Sequence, residues 1–226
     1  MLAPLAATPS LIDQAYRQVL EAIADGTLAP GQRIRQAELA DSLGVSRQPI
    51  SHALHLLKRQ GLVEDVGRKG LRVVPIDAER VLQLYQVRVA IDALAAGLAA
   101  RRVAAGAAPA TLLQLLAAQV EAGAQFDSAT PIANLVRADA VFHGTLYAAS
   151  GNPAIAEMTV PLWPHLMRSM AAVLHAPGYA VRIWRHEHPA ILAAIQAGDA
   201  TAAETAARRH AEAAGRMTAQ HLSEAA

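Results

Sequence analysis

Nine histidines are spread unevenly over the 226 residues. Three of them, with one aspartate, have a spacing that could hold a metal ion. Asp139 and His143 are four positions apart, so on a helix both side chains leave the same face and can converge. His188 lies early in a helical segment, just after His186-Glu187. His210 falls about three turns into the next segment, beyond a Gly198-Asp199 turn, so antiparallel packing would set it beside His188. One carboxylate and three imidazoles suit a divalent transition metal, zinc foremost, with nickel, manganese and iron also fitting, and leave positions for water or ligand oxygens. Taken singly, each histidine reads more readily as a half-buried core or surface residue than as a ligand. Spacing alone does not decide between the two readings.

Arg88 is a second charged candidate. It is expected on the inner face of a helix with Leu84, Val87, Ile91, Leu94 and Leu98. A guanidinium buried unpaired costs several kcal/mol, so it needs a carboxylate: Asp92, four residues on, or an organic acid bound from outside. Asn152 either adds a polar contact to such a ligand or caps the helix that follows Gly151.

A third group suits nucleic acid. No acidic residue occurs between Asp41 and Glu64, while Arg47, Lys58 and Arg59 all lie in that gap. Ser46-Arg47-Gln48-Pro49-Ile50-Ser51-His52 opens a helix that follows a short helix and a Gly44 turn, the layout of a helix-turn-helix whose second helix enters the major groove with its N-terminal residues first. Arg47 can pair bidentately with guanine or grip phosphate, Gln48 can read adenine, and Ser46 and Ser51 suit phosphates or bases. His52 shares this face. Lys58 and Arg59, further along, read as solvated or backbone-facing charges. Arg68-Lys69, at the tip of a hairpin bounded by Gly67 and Gly70, can reach a minor groove or phosphates.

The elements that must position these residues follow from periodicity and breakers. A helix from Leu11 stops at Gly26, and Pro30-Gly31 turns the chain. Short helices over 37–43 and 46–60, then strands at 62–64 and 71–74, complete a winged helix. Asp77 reads as the N-cap of the next helix. Beyond it no strand is apparent, and helices are expected near 78–104, 109–124, 131–150, 152–176, 180–197 and 199–222, with Pro161 and Pro164 splitting the fourth. The fold class is thus mainly α: an N-terminal winged helix-turn-helix of three helices plus a small β-hairpin, and a C-terminal all-α helical bundle. The expected division is an arm over 1–10, the winged helix over 11–75, a linker over 76–80 and the helical domain over 81–222. With 53% hydrophobic but only 4% aromatic residues, alanine-rich helices are favoured over a β-sandwich. The absence of cysteine excludes disulfides and thiolate zinc sites. A net charge of +1 decides nothing by itself. No signal segment and no apolar run near 18 residues is evident, so a soluble cytoplasmic protein without a membrane partner is expected.

The residues also resemble a known family. Ile23-Ala24-Asp25-Gly26-Thr27-Leu28-Ala29-Pro30-Gly31, then Leu39-Ala40, Leu43-Gly44-Val45-Ser46-Arg47-Gln48-Pro49-Ile50, Ala53-Leu54 and Gly61-Leu62-Val63, resemble the signature of GntR-superfamily regulators over residues 16–75. Ser51-His52 stands where many relatives carry Arg-Glu, and Ala37 where an arginine often precedes the Glu of the second helix, with Arg35 two residues away. No operator sequence can be borrowed from a relative. Residues 81–221 resemble the FCD ligand-binding domain of the FadR branch, through Tyr85-Gln86-Val87-Arg88 leading to Asp92, Asp139-Ala140-Val141-Phe142-His143 with Ser150-Gly151-Asn152, and Glu187-His188-Pro189-Ala190-Ile191 with Ala194-Ile195, Gly198-Asp199 and His210. The resemblance implies Asp139, His143, His188 and His210 as metal ligands and leaves His165, His175, His186 and His221 as bystanders. Asp92 replaces the family's common Glu, a change bearing on packing more than on chemistry.

The resulting expectation is a homodimeric transcriptional regulator on a pseudopalindromic double-stranded operator, with affinity set by a small carboxylate effector that chelates the metal beside Arg88 and Asn152. Two other readings use the same residues: a metal-dependent enzyme fused to a DNA-binding head, with Glu187 or His186 as base, and a regulator whose metal is purely structural. No nucleophile elbow, phosphate loop or dinucleotide fingerprint supports the enzyme reading.

Overall fold

The computed structural model describes residues 10–67, 70–173 and 178–224. The chain divides into two compact units, with the boundary between Pro75 and Ile76.

The first unit begins with α1 (Leu11–Ala24). Ser10 starts it through a capping box, in which Asp13 N donates to the Ser10 hydroxyl and Ser10 N donates back to the Asp13 carboxylate. A two-residue strand β1 (Arg33–Ile34) precedes α2 (Gln36–Leu43) and α3 (Arg47–Arg59). Gly44 closes α2 at φ +64°, a left-handed conformation that costs glycine nothing. Pro49 sits in the first turn of α3, where its missing N–H has no partner to lose. Strands β2 (Val63–Val66) and β3 (Gly70–Val73) form the hairpin, and β1 adds to its other side in the order β1-β3-β2, antiparallel throughout. Sequence periodicity missed β1, because two residues are too few to show an alternation. Val19, Ile23, Ile50, Leu54, Leu57, Leu62 and Val73 form the core of this unit. Leu56, beside the buried Leu57 on α3, is 38% exposed.

Among the described residues the second unit is all helical. Its helices are α4 (Ala78–Ala104), α5 (Ala110–Gly123), α6 (Ile132–Ser150), α7 (Pro153–Thr159), α8 (Trp163–Val173), α9 (Tyr179–Arg182), α10 (His188–Gln196) and α11 (Ala200–Glu224). Asp77 accepts from Arg80 N and Asp199 accepts from Ala202 N, so both act as caps. The run expected over 152–176 is split by the prolines into α7 and α8.

The expected continuous helix over 180–197 is instead interrupted by a π-helical turn, Ile183–Glu187, between α9 and α10. Pro189 explains it physically. Its ring cannot donate to the carbonyl of Arg185 and would clash with it, and a widened turn relieves both.

Helix α4 packs along α11, with Ala95, Ala96 and Ala99 of α4 and Ala203 and Ala207 of α11 fully buried. Small side chains let the two backbones approach closely. The buried stripe of α4 therefore runs Val81, Leu84, Tyr85, Arg88, Asp92, Ala95, Ala96 and Ala99, and Val87 and Leu94, expected inward, are 48% and 46% exposed. By length and composition α4 could cross a membrane, reaching mean hydropathy 1.3 over 18 residues, contrary to the expectation of no such run. It carries Arg88 and Asp92, and 56% of that stretch is buried within the protein.

Candidate functional site

The four residues that spacing and resemblance singled out lie together in the second unit. One ligand atom from each of Asp139, His143, His188 and His210 falls within 4.8 Å of the others, and all four residues are buried. Asp139 and His143 come from adjacent turns of α6, His188 from the start of α10, and His210 from the middle of α11. The α10–α11 hairpin, turning at Gly198, brings the His188 and His210 rings to 4.9 Å. His188 is held on two sides: Phe142 stacks on it at 3.9 Å and Trp184 meets its edge at 4.5 Å.

The protonation pattern can be read from the partners. Arg88 Nη2 lies 2.6 Å from His143 Nε2. A guanidinium can only donate, so Nε2 is the acceptor and Nδ1 carries the proton. That Nδ1 lies 3.3 Å from Asp92 Oδ2. On the other wall, His210 Nδ1 donates to Glu187 Oε2 at 2.8 Å, leaving His210 Nε2 buried and without a partner among the described residues. Two carboxylates, Asp92 and Glu187, thus stand behind two imidazoles and turn their basic nitrogens inward, as carboxylates do behind metal-bound histidines. Asp92 also accepts from Tyr147 at 2.6 Å and from Arg88 Nε at 3.1 Å. Its role is electrostatic as well as structural: it is the carboxylate that Arg88 was expected to need, and it also stands behind His143.

Electrostatics suit the same arrangement. Burial by itself would raise the Asp139 and Asp92 carboxyls, but His143, Arg88 and, for Asp139, His188 pull both well below the ordinary carboxylate range. Burial would lower Arg88, but Asp92 and Asp139 outweigh it and keep the guanidinium charged. Burial pushes His188 down to about 3 and lowers His143 as well, so both imidazoles are neutral at neutral pH. Neutral imidazoles and an ionised carboxylate are the protonation states that metal ligands need. Among the described residues His210 Nε2 is buried without a hydrogen-bond partner, and His188 Nε2 is buried with only the Asp139 Oδ1 carboxylate oxygen near it, at 3.4 Å. An orphaned buried acceptor such as His210 Nε2 is costly unless something supplies a positive partner, so the donor set fits a metal ion.

Other predicted residues lie elsewhere. Asn152 caps α7, its carboxamide oxygen accepting from Ala154 N at 3.2 Å, and it is not part of the cluster. His186 is exposed, and His165 and His221 lie outside the cluster; His175 falls outside the described residues. Glu187 faces the outer nitrogen of His210 and forms an ion pair with Arg182 at 3.0 Å. Arg88, Asp139 and His210 line a cavity of about 10 Å³, closed by Leu135, Met170, Tyr179, Ile183, Trp184 and Ala214.

In the first unit, Ser46 at the N-cap of α3 and Arg47, Gln48, Ser51 and His52 on it are all exposed, while Pro49 and Ile50 between them are buried. His55 continues that exposed face one turn on. Lys58 is paired with Asp65 of β2, tying α3 to the hairpin. Arg35 is exposed and paired with Glu38 at 2.8 Å. Arg68 and Lys69 lie outside the described residues.

A winged helix followed by a separate all-helical unit is the build of a DNA-binding regulator. Residues 11–73 match the bacterial regulatory proteins of the gntR family, and residues 83–223 match the FCD domain. The chain belongs to the GntR family of transcriptional regulators and carries a C-terminal FCD domain; the family is one of regulators rather than enzymes. Among relatives, an HTH-type transcriptional regulator of Streptomyces ambofaciens is 30% identical over 200 residues, covering 86% of this chain and 79% of that one. YdhC of Bacillus subtilis, also an HTH-type transcriptional regulator, is 39% identical over 82 residues, which span 36% of this chain and 37% of that protein. The fold is shared with E. coli McbR/YncC, at TM-score 0.80 and 20% identity over 94% of this chain and 99% of that one.

Proposed function

We propose that this regulator binds a pseudopalindromic operator as a homodimer in the cytoplasm, and that a small organic acid bound at a metal site in the FCD domain sets its affinity. The observation that carries the reading is the convergence of three buried imidazoles on Asp139, with His210 Nε2 left without a partner among the described residues. Asp139, His143, His188 and His210 would hold a divalent ion, zinc foremost. Such an ion supplies Lewis-acid coordination for a carboxylate oxygen. Arg88 offers the second, charge-assisted contact to that carboxylate. In the other unit Arg47, Gln48, Ser46, Ser51 and His52 face the operator, with Arg35, Arg68 and Lys69 as further contacts. Differential binding of the acid to two arrangements of the domain, worth about 1–3 kcal/mol, suffices for several-fold to hundredfold regulation.

The test is operator binding by fluorescence anisotropy, with zinc-loaded and chelator-treated protein, across a panel of small mono-, di- and tricarboxylates. The expected result is a metal-dependent shift in affinity for at least one acid. Unchanged affinity with every acid in both states rejects the sensing role. The cavity of about 10 Å³ favours a second reading, in which the metal only braces the helices. In that case chelation lowers Tm and no acid alters DNA affinity.

A further inference from the structure

Arg88 Nη2 lies 2.6 Å from His143 Nε2 and 3.4 Å from Asp139 Oδ2. Both atoms face the interior of the four-residue group, 3.8 Å from one another. His143 Nε2 has one lone pair, and a guanidinium has none to share. That nitrogen serves Arg88 or a metal ion, not both at once. We propose that Arg88 is an internal cation that exchanges with the metal on His143 Nε2, so that loading the ion and freeing the Arg88 Nη groups are a single event. The proposal rests on the metal reading of this site and adds the exchange to it.

The surroundings of Arg88 are built for a cation that pivots rather than leaves. The side chain is 1% exposed, so its charge is held inside the domain. Nε is anchored on Asp92 at 3.1 Å, away from the metal ligands, and can hold while the two Nη groups turn. The guanidinium lies 5.3 Å from the Trp163 ring centre and 5.5 Å from that of Tyr85, two aromatic faces that stabilise a cation. Its remaining contact, Nη1 to Met170 Sδ at 3.6 Å, is weak and easily given up.

Two consequences follow from charge alone. A dication and a guanidinium sharing a dry site repel each other, so Arg88 weakens metal binding. Once displaced, Arg88 carries two Nη groups with no strong acceptor in a buried place, and an anion becomes favourable there. Metal and carboxylate are then coupled with the same sign, each tightening the other.

The experiment measures zinc affinity of the full chain by competition with a chromogenic chelator, without DNA. Arg88→Met is expected to bind zinc at least ~tenfold tighter than the native protein, on the scale seen for other groups contacting metal ligands. Arg88→Met leaves Asp92 without its cation and could unfold. The double variant Arg88→Met/Asp92→Asn is therefore compared with Asp92→Asn, and the same gap is expected. Acetate should tighten zinc binding in the native protein and lose that effect in Arg88→Met. Equal or weaker zinc binding in the variants lacking Arg88, with the native protein binding zinc, overturns the exchange and leaves the metal site standing. No zinc binding by any folded variant overturns the metal reading and the exchange with it.

Discussion

Glu187 Oε2 lies 2.8 Å from Nδ1 of His210, the nitrogen that faces away from the cluster, while Nε2 of the same ring is buried with no described partner. The π turn over Ile183–Glu187 makes this possible: consecutive residues Glu187 and His188 serve, respectively, the outside of one ligand and the inside of the site.

Removing that carboxylate should loosen the site without emptying it. Glu187→Ala is expected to weaken zinc binding about 10–100-fold. Glu187→Gln keeps an acceptor oxygen for Nδ1–H and should lose much less. The same chelator competition measures both, and identical affinities for native and Ala variants would show that Glu187 does not set the His210 tautomer.

Two glycines separate rigid from yielding packing. A Cβ on Gly123 would stand 1.9 Å from Cε3 of Trp184, a ring wedged in the core beside His188. Gly123→Ala should lower stability by about 1–3 kcal/mol and disturb His188 with it. A Cβ on Gly97 would meet Glu204 Oε1 at 2.1 Å and Cγ at 2.5 Å, but the partly exposed Glu204 side chain can change rotamer and swing away as a whole. Mid-helix Gly→Ala gains up to ~1 kcal/mol, and the exposed Arg101–Glu204 pair that would be lost is worth little. Gly97→Ala should therefore be neutral or stabilising. Thermal unfolding of the two variants, with opposite signs expected, checks this.

On α3, Arg47 is exposed and has no ion pair among the described residues, whereas Arg35 is engaged with Glu38. Arg47→Ala should weaken operator binding by about 1–3 kcal/mol, roughly tenfold to a hundredfold. Arg35→Ala should cost less and act evenly across sequences, reducing the salt dependence by about one phosphate contact. Anisotropy titrations at several salt concentrations distinguish a base contact from a phosphate contact.

His188 makes the metal-free fold sensitive to acid. Its pKa in the fold, about 3, lies below the ordinary 6.5, so between these values the unfolded chain takes up a proton that the fold refuses. The stability is fully present above pH 6.5 and drains as pH falls toward 3. Asp139 and Asp92, also held low, add losses in the lowest part of that window. Tm of the chelated protein should drop by roughly 5 °C or more from about pH 7 to about pH 4.5. His188→Gln should flatten the upper part of this slope, and a flat native profile would contradict the neutral, buried imidazole.

Local interactions were legible in the sequence because they span only a turn or so of chain. Asp77 and Asp199 cap within three residues, Gly44 ends its helix by its own φ, and Pro161 and Pro164 break theirs by lacking a donor. The shared face of Asp139 and His143 is of the same kind, a consequence of four-residue spacing. Strand β1 was not legible, since two residues gain strand character only by pairing with β3. Nor was the outward turn of Val87 and Leu94, since the close approach of alanines on α4 and α11, not hydrophobicity, chose the buried stripe.

The chemistry divides along the same line. The sequence by itself determined which side chains are available to bind: one carboxylate, three imidazoles and an arginine, on helices whose breaks are written in Gly and Pro. Only the tertiary structure decided that Asp92 and Glu187 stand behind two of those imidazoles and that Arg88 donates to the nitrogen a metal would need. These relations join α4, α6 and α11 across as many as 55 residues of chain. Burial and close packing set them, and no local spacing encodes them.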